Sequence, residues 1–228
     1  MQKEINEYPH YLTTIEDIKI HFLHARAEKS DAIPLLLVHG WPGSFYEFSR
    51  VWGQLSHPAD SSTQAFHVVV PSMPGFCWSD WPPRAGWTLQ DNARIFDKLM
   101  KRLGYDEYMI QCGDWGYFVG RELGAKYADS CKLLHFNFAP SPLPEGAEYT
   151  EREKAVAARV DDWITNHIGY AICMRTRVRM MPPSQQLAHN VPHILCRYPS
   201  CNTIYADVFC ACSLIPLASL SMITLWAS

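Results

Sequence analysis

Tyr108-Met109-Ile110-Gln111-Cys112-Gly113-Asp114-Trp115-Gly116-Tyr117-Phe118-Val119 is the stretch that decides how this chain folds. Four residues suited to a buried strand run without a spacer into Cys112-Gly113-Asp114-Trp115-Gly116. Phe118, Val119 and Leu123 then continue at a helical spacing. Strand, sharp turn and helix in that order is the sequence form of a nucleophile elbow. The turn is so tight that the residues two before and two after its apex must be small, as Cys112 and Gly116 are, and the helix aims its first amides at developing negative charge. With Asp114 at the apex, the implied chemistry is attack by a carboxylate and an ester intermediate on the protein. An Asp between a strand and a helix is also a common N-cap. The pentapeptide alone leaves both readings standing.

A second loop tips the balance. Leu35-Leu36-Leu37-Val38 is a continuous apolar run, as expected of a strand buried on both faces, and it ends in His39-Gly40-Trp41-Pro42-Gly43. That is where a fold with such an elbow places the second amide of an oxyanion hole. Around these two loops, strand-like and helix-like segments alternate, the pattern of a mostly parallel sheet flanked by helices. Residues 19–24 read as an edge-type strand, and His67-Val68-Val69-Val70 reads as another buried one. Thr88 with Asp91 three residues on opens a helix that puts Ile95, Leu99 and Leu103 on one face and stops at Gly104. Leu133-Leu134-His135-Phe136-Asn137-Phe138 reads as a fourth strand. Thr150-Glu151-Arg152-Glu153 is a capping box opening a charged amphipathic helix expected to reach about Arg175.

The whole chain of 228 residues is long enough for one sizeable core. A formal net charge of -3 gives no basic field for a phosphate backbone, so nucleic acid is not an expected partner. The opening Met1-Gln2-Lys3-Glu4-Ile5-Asn6-Glu7 lacks the apolar run of a signal peptide, which predicts a cytoplasmic protein with reduced thiols. The eight cysteines include no C-x-x-C pair, and no metal-ligand spacing or glycine-rich phosphate loop occurs, so neither a metal nor an organic cofactor is expected. Beyond Arg177 the alternation stops. Only Arg179, Arg197 and Asp207 are charged there, and residues 208–227 carry no charge at all. A stretch of roughly 20 such residues has the length of a membrane span, but Pro216 and several Ser and Thr residues make membrane contact the less favoured reading.

His39-Gly40-Trp41-Pro42-Gly43-Ser44, Pro71-Ser72-Met73-Pro74-Gly75-Phe76 and Cys112-Gly113-Asp114-Trp115-Gly116, in that order, resemble the motifs of epoxide hydrolases, especially the microsomal and fungal branch of the α/β-hydrolase superfamily. The resemblance covers residues 8–177. It implies that Asp114 is the nucleophile that opens an epoxide by attacking a ring carbon, and that water then hydrolyses the ester to a diol. It also implies that the backbone amides of Trp41 and Trp115 form the oxyanion hole, with their indoles lining the pocket. His39, Gly40, Pro42, Gly113 and Gly116 would support the two loops. The implied partners are a small hydrophobic epoxide and water.

The fold this predicts is α/β: an incomplete α/β-hydrolase fold with a mostly parallel sheet and flanking helices, the start of a helical cap and an unmatched C-terminal tail. Residues 1–16 would be a remnant of an N-terminal meander, 17–149 the first part of the hydrolase core, 150–177 the start of the cap, and 178–228 a poorly packed or disordered tail. Nothing after Arg177 matches the cap tyrosines, the acid or the histidine of the family. Tyr170 reads as a packing residue. His135 falls in a strand, His167 in the cap helix, and His189 and His193 in the tail, where neither is favoured as a base. The expectation is a crippled epoxide hydrolase with little or no turnover. The alternatives are a haloalkane dehalogenase-like hydrolase, against which Trp41 weighs, and a noncatalytic binding or tail-anchored remnant.

Overall fold

The structure is a computed structural model, and it describes residues 5–84, 86–139, 146 and 148–169. Six strands form one sheet: β1 (His10–Ile15), β2 (Ile18–Ala25), β3 (Ile33–Val38), β4 (Phe66–Pro71), β5 (Tyr108–Cys112) and β6 (Cys131–Phe136). Their order across the sheet is β1-β2-β4-β3-β5-β6. β1 and β2 form a hairpin, β2 runs antiparallel to β4, and β4, β3, β5 and β6 are mutually parallel. The helices are α1 (Trp52–Ser56), α2 (Leu89–Arg102), α3 (Trp115–Lys126) and α4 (Glu151–Asn166), with a 3-10 turn at Phe45–Phe48.

The apolar runs read as doubly buried strands are that. Leu36, Val38, Val69, Ile110 and Cys112 pack on one face with Ile95, Phe96, Leu99 and Met100 of α2 and Val119 and Leu123 of α3. Leu35, Leu37, Val68 and Val70 pack on the other face with Phe45, Phe48 and Trp52. Each face of the parallel core is thereby covered, as such a sheet requires. α2 starts where the capping box predicts, with the Thr88 amide donating to Asp91 Oδ2 at 2.8 Å, and Gly104, at φ 86°, follows its end.

Two local expectations change, and two short elements are added. The strand over residues 19–24 is not at an edge, because residues 10–15 form β1 and cover it. The short elements Phe45–Phe48 and Trp52–Ser56 carry too few residues to display a period. α4 opens on its capping box, with Thr150 donating to Glu153 at 2.8 Å, but it ends at Asn166, with His167 as its C-cap, rather than near Arg175. Asn166, whose side chain bonds Asp162, and Gly169 are weak helix formers at that point.

Residues 5–139 fall in one compact unit and residues 148–169 in a second. Within the described part of the second, α4 has no buried residue and presents Val156, Val160 and Ile164 to solvent. Among the described residues no helix is long and apolar enough to cross a membrane, and residues 208–227, with Tyr170, His189 and His193, lie outside them.

Candidate active site

The register of the sheet brings the two motif loops together. β3 and β5 are parallel neighbours with Val38 opposite Cys112, so residues 39–43 and 113–116 leave the same edge of the sheet side by side. Cys112 is fully buried, and its thiol is pushed well above the usual range by that burial, which makes it a packing residue.

Asp114 sits at φ 50° and ψ -130°, the strained conformation of an elbow apex, immediately before the first residue of α3. The Trp41 backbone N–H donates to Asp114 Oδ1 at 2.7 Å. The Trp115 backbone N–H faces the same carboxyl and, like that of Trp41, favours its charged form. Burial raises the pKa of Asp114, and these two amides pull against the rise. The two amides expected to serve an oxyanion therefore converge on Asp114 itself. An oxyanion formed at its own Cγ would develop where they already point.

The glycines of both motifs make this approach possible. A methyl group on Gly40 would run into the Asp114 carboxyl, one on Gly113 into the side chain of Asn137, and one on Gly116 into the backbone oxygens of Val38 and His39. The Trp41-Pro42 peptide bond is cis. His39 is fully buried, and both of its ring nitrogens are engaged: Nε2 accepts from the Met73 N–H at 3.1 Å, so Nδ1 carries the proton that it donates to Gly40 O at 3.0 Å. Burial pushes its pKa down to about 4. This neutral histidine braces the Trp41 loop against the segment after β4, and its bonds leave no nitrogen for Asp114.

The two indoles differ. Trp41 is buried, whereas Trp115 is 44% exposed. His135 lies in β6 and His167 caps α4, and no histidine among the described residues bonds to Asp114. Among those residues, no group of three or more His, Cys, Asp or Glu is placed to hold a metal ion. One neighbour carried no signal in the sequence: Glu47, on the 3-10 turn after the Trp41 loop. Its carboxyl is pushed up by the protein around it and by the charge of Asp114. Only its position one turn beyond His39-Gly40-Trp41-Pro42-Gly43 could have drawn attention to it.

Comparison with known proteins gives the same picture. The family model described as epoxide hydrolase N terminus matches residues 1–48, and that of the α/β hydrolase fold matches residues 33–169, more than half of the chain. Epoxide hydrolase 1 of Sus scrofa is 40% identical over 142 residues, 59% of this chain and 31% of that protein. Juvenile hormone epoxide hydrolase of Bombyx mori is 38% identical over 146 residues, 63% of this chain and 32% of that protein. The solved epoxide hydrolase of Aspergillus niger superposes with a TM-score of 0.71 at 38% identity, covering 82% of this chain and 52% of that one. The chain thus spans about a third of the length of these two curated relatives and about half of that solved one. An elbow with an aspartate at its apex, two amides turned onto that aspartate and these matches agree: the chain belongs to the α/β-hydrolase fold family and, within it, is similar to epoxide hydrolases.

Proposed function

We propose that Asp114 attacks a ring carbon of a small hydrophobic epoxide, so that an Asp114–carbon ester forms as the ring C–O bond breaks and the ring oxygen takes a proton from solvent. In the second half-reaction, water attacks Cγ of the ester. The Trp41 and Trp115 amides then hold the oxyanion, which collapses to release a diol and return the carboxylate. The observation that carries this reading is the 2.7 Å bond from the Trp41 N–H to Asp114 Oδ1, which joins the two loops into one site. The names of the relatives supply the substrate class.

Hydrolysis is the slow half in this chain. A water attacking an ester is helped by a base, and among the described residues the motif histidine, His39, has both nitrogens committed. The ester therefore outlasts ring opening and accumulates. Intact-mass spectrometry after incubation with styrene oxide tests this. One added epoxide mass on the wild type and none on Asp114→Ala is the expected result. Equal labelling of both proteins would remove Asp114 from the chemistry, and diol in large molar excess with no adduct would show that hydrolysis is not slow.

A further inference from the structure

At the end of the sheet remote from Asp114, the β1–β2 hairpin and the end of α2 enclose a cavity of another kind. β2 runs antiparallel to β4, with Phe22 opposite Pro71 and Ala25 opposite Val68. Residues 24–26 therefore lie beside the start of the parallel strands, whereas residues 39–43 and 113–116 leave the other end. The cavity measures about 320 Å³ and is lined by Tyr11, Phe22, His24, Arg26 and Leu103. Pockets of about 300–1,000 Å³ are the ones that hold small molecules.

Its walls divide by chemistry. Tyr11, Phe22 and Leu103 supply an apolar side, on which the Tyr11 and Phe22 rings stack with centroids 5.5 Å apart. The polar side is built around His24, which is 5% exposed and which burial keeps neutral. Its Nε2 meets the Tyr105 hydroxyl at 2.9 Å. Arg26 faces that hydroxyl as well, and its charge acts on His24. A guanidinium has only N–H donors, so the Tyr105 oxygen presents a lone pair to Arg26 and turns its own proton to His24 Nε2. The His24 proton is thereby placed on Nδ1. Nδ1 meets no hydrogen-bond partner among the described residues, and it is not sealed from solvent. A buried imidazole with an unused N–H at a cavity wall is a donor for an incoming acceptor. Arg26 enters no ion pair with any described residue.

We propose that this cavity binds a small aromatic monocarboxylate, of the phenylacetate class, at a place separate from Asp114. The carboxylate lies between the Arg26 guanidinium and the His24 Nδ1–H and takes charge-assisted hydrogen bonds from both. One guanidinium balances one negative charge, which selects a carboxylate over a phosphate. The ligand's ring lies against Tyr11, Phe22 and Leu103 and covers the exposed face of Tyr11. His24 is already oriented by Tyr105, so little ordering opposes binding. Neither side suffices alone, because an exposed cation is screened by salt and an apolar wall does not orient its guest.

Isothermal titration calorimetry of the full chain with phenylacetate is the test, with acetate, benzyl alcohol and inorganic phosphate alongside. Wild type is expected to bind one phenylacetate per chain, and the other three compounds on the order of 10-fold more weakly or worse. Arg26→Gln, at an exposed position, weakens phenylacetate binding on the order of 10-fold, whereas Asp114→Ala binds it as the wild type does. Tyr11→Ser, also at an exposed position, weakens it by a smaller factor and serves in place of the Gln variant if a thermal melt shows that one unfolded. No binding at millimolar phenylacetate overturns the proposal, and so does undiminished binding by a folded Arg26→Gln. Acetate or phosphate held as tightly as phenylacetate reduces the site to a general anion patch and overturns it too. Loss of binding in Asp114→Ala moves the ligand to the active site, with the same consequence.

Discussion

At the scale of the residue, the site depends on what is missing from Gly40. The Asp114 carboxyl occupies the space a side chain there would need. Gly40→Ala must push the loop away and break the Trp41 bond to Oδ1. A displacement of that kind in a reacting group costs roughly 100-fold in rate, and the overpacking costs about 1–3 kcal/mol of stability. Adduct formation with styrene oxide and a thermal melt read the two effects separately, and an Ala variant that alkylates at the wild-type rate would show that the close approach is not needed. This much was legible in the sequence, because a turn that must be small, reactive and small again constrains residue types at fixed spacing. Asp114, Trp41 and the glycines could be picked out for that reason. Glu47 could not: its place depends on a 3-10 turn folding back over the loop, and one glutamate among the 23 acidic residues has no spacing to betray it.

At the scale of the element, the long periodic segments were readable and the short ones were not. β3, β4, β5 and α2 announce themselves through apolar runs and a capping box, since burial on two faces or on one helical stripe leaves a pattern. The order β1-β2-β4-β3-β5-β6 leaves none, because which strands become neighbours is set by tertiary packing. β1 illustrates the difference: its residues fall in the stretch expected to be only a meander remnant, yet it pairs fully with β2. The turn between them consists of Glu16 and Asp17, at φ 50° and 66°. Ile15 pairs with Ile18 across it, so this is a two-residue hairpin turn of the type that favours glycine at its second position. Glu16 is held by Arg94 and Lys98, which keep its pKa near about 2, and so it is the residue to leave alone. Asp17→Gly is expected to stabilise the protein by about 0.5 kcal/mol, raising Tm by a degree or two. An unchanged or lower Tm would mean that Asp17 contributes more to the turn than its backbone strain costs.

At the scale of the whole molecule, three buried histidines make stability depend on pH. His21 bonds Ser72 Oγ at 2.8 Å and His10 Nδ1 at 2.9 Å, His24 bonds the Tyr105 hydroxyl at 2.9 Å, and His39 braces the Trp41 loop. Burial holds them neutral, with pKa values pushed down to about 3, 4 and 4. The unfolded chain takes up these protons near pH 6.5. Stability from each histidine is therefore complete above that pH and is lost as pH falls through its folded value. At pH 5 the loss is about 2 kcal/mol for each, a large share of the roughly 5–15 kcal/mol that holds a domain folded. Asp114 and Glu47 act in the opposite sense, because their raised pKa values favour the fold while they are protonated and oppose it as pH rises. Glu47 keeps solvent access and Asp114 is offset by two amides, so the three histidines dominate between pH 4 and 6.5. Thermal melts across that range should show Tm falling steadily with acidity, and Asp114→Asn, which removes one opposing group, should steepen the fall. A Tm independent of pH over the same interval would mean that the histidines are solvated in the fold, and the bracing of the Trp41 loop by His39 would fail with them.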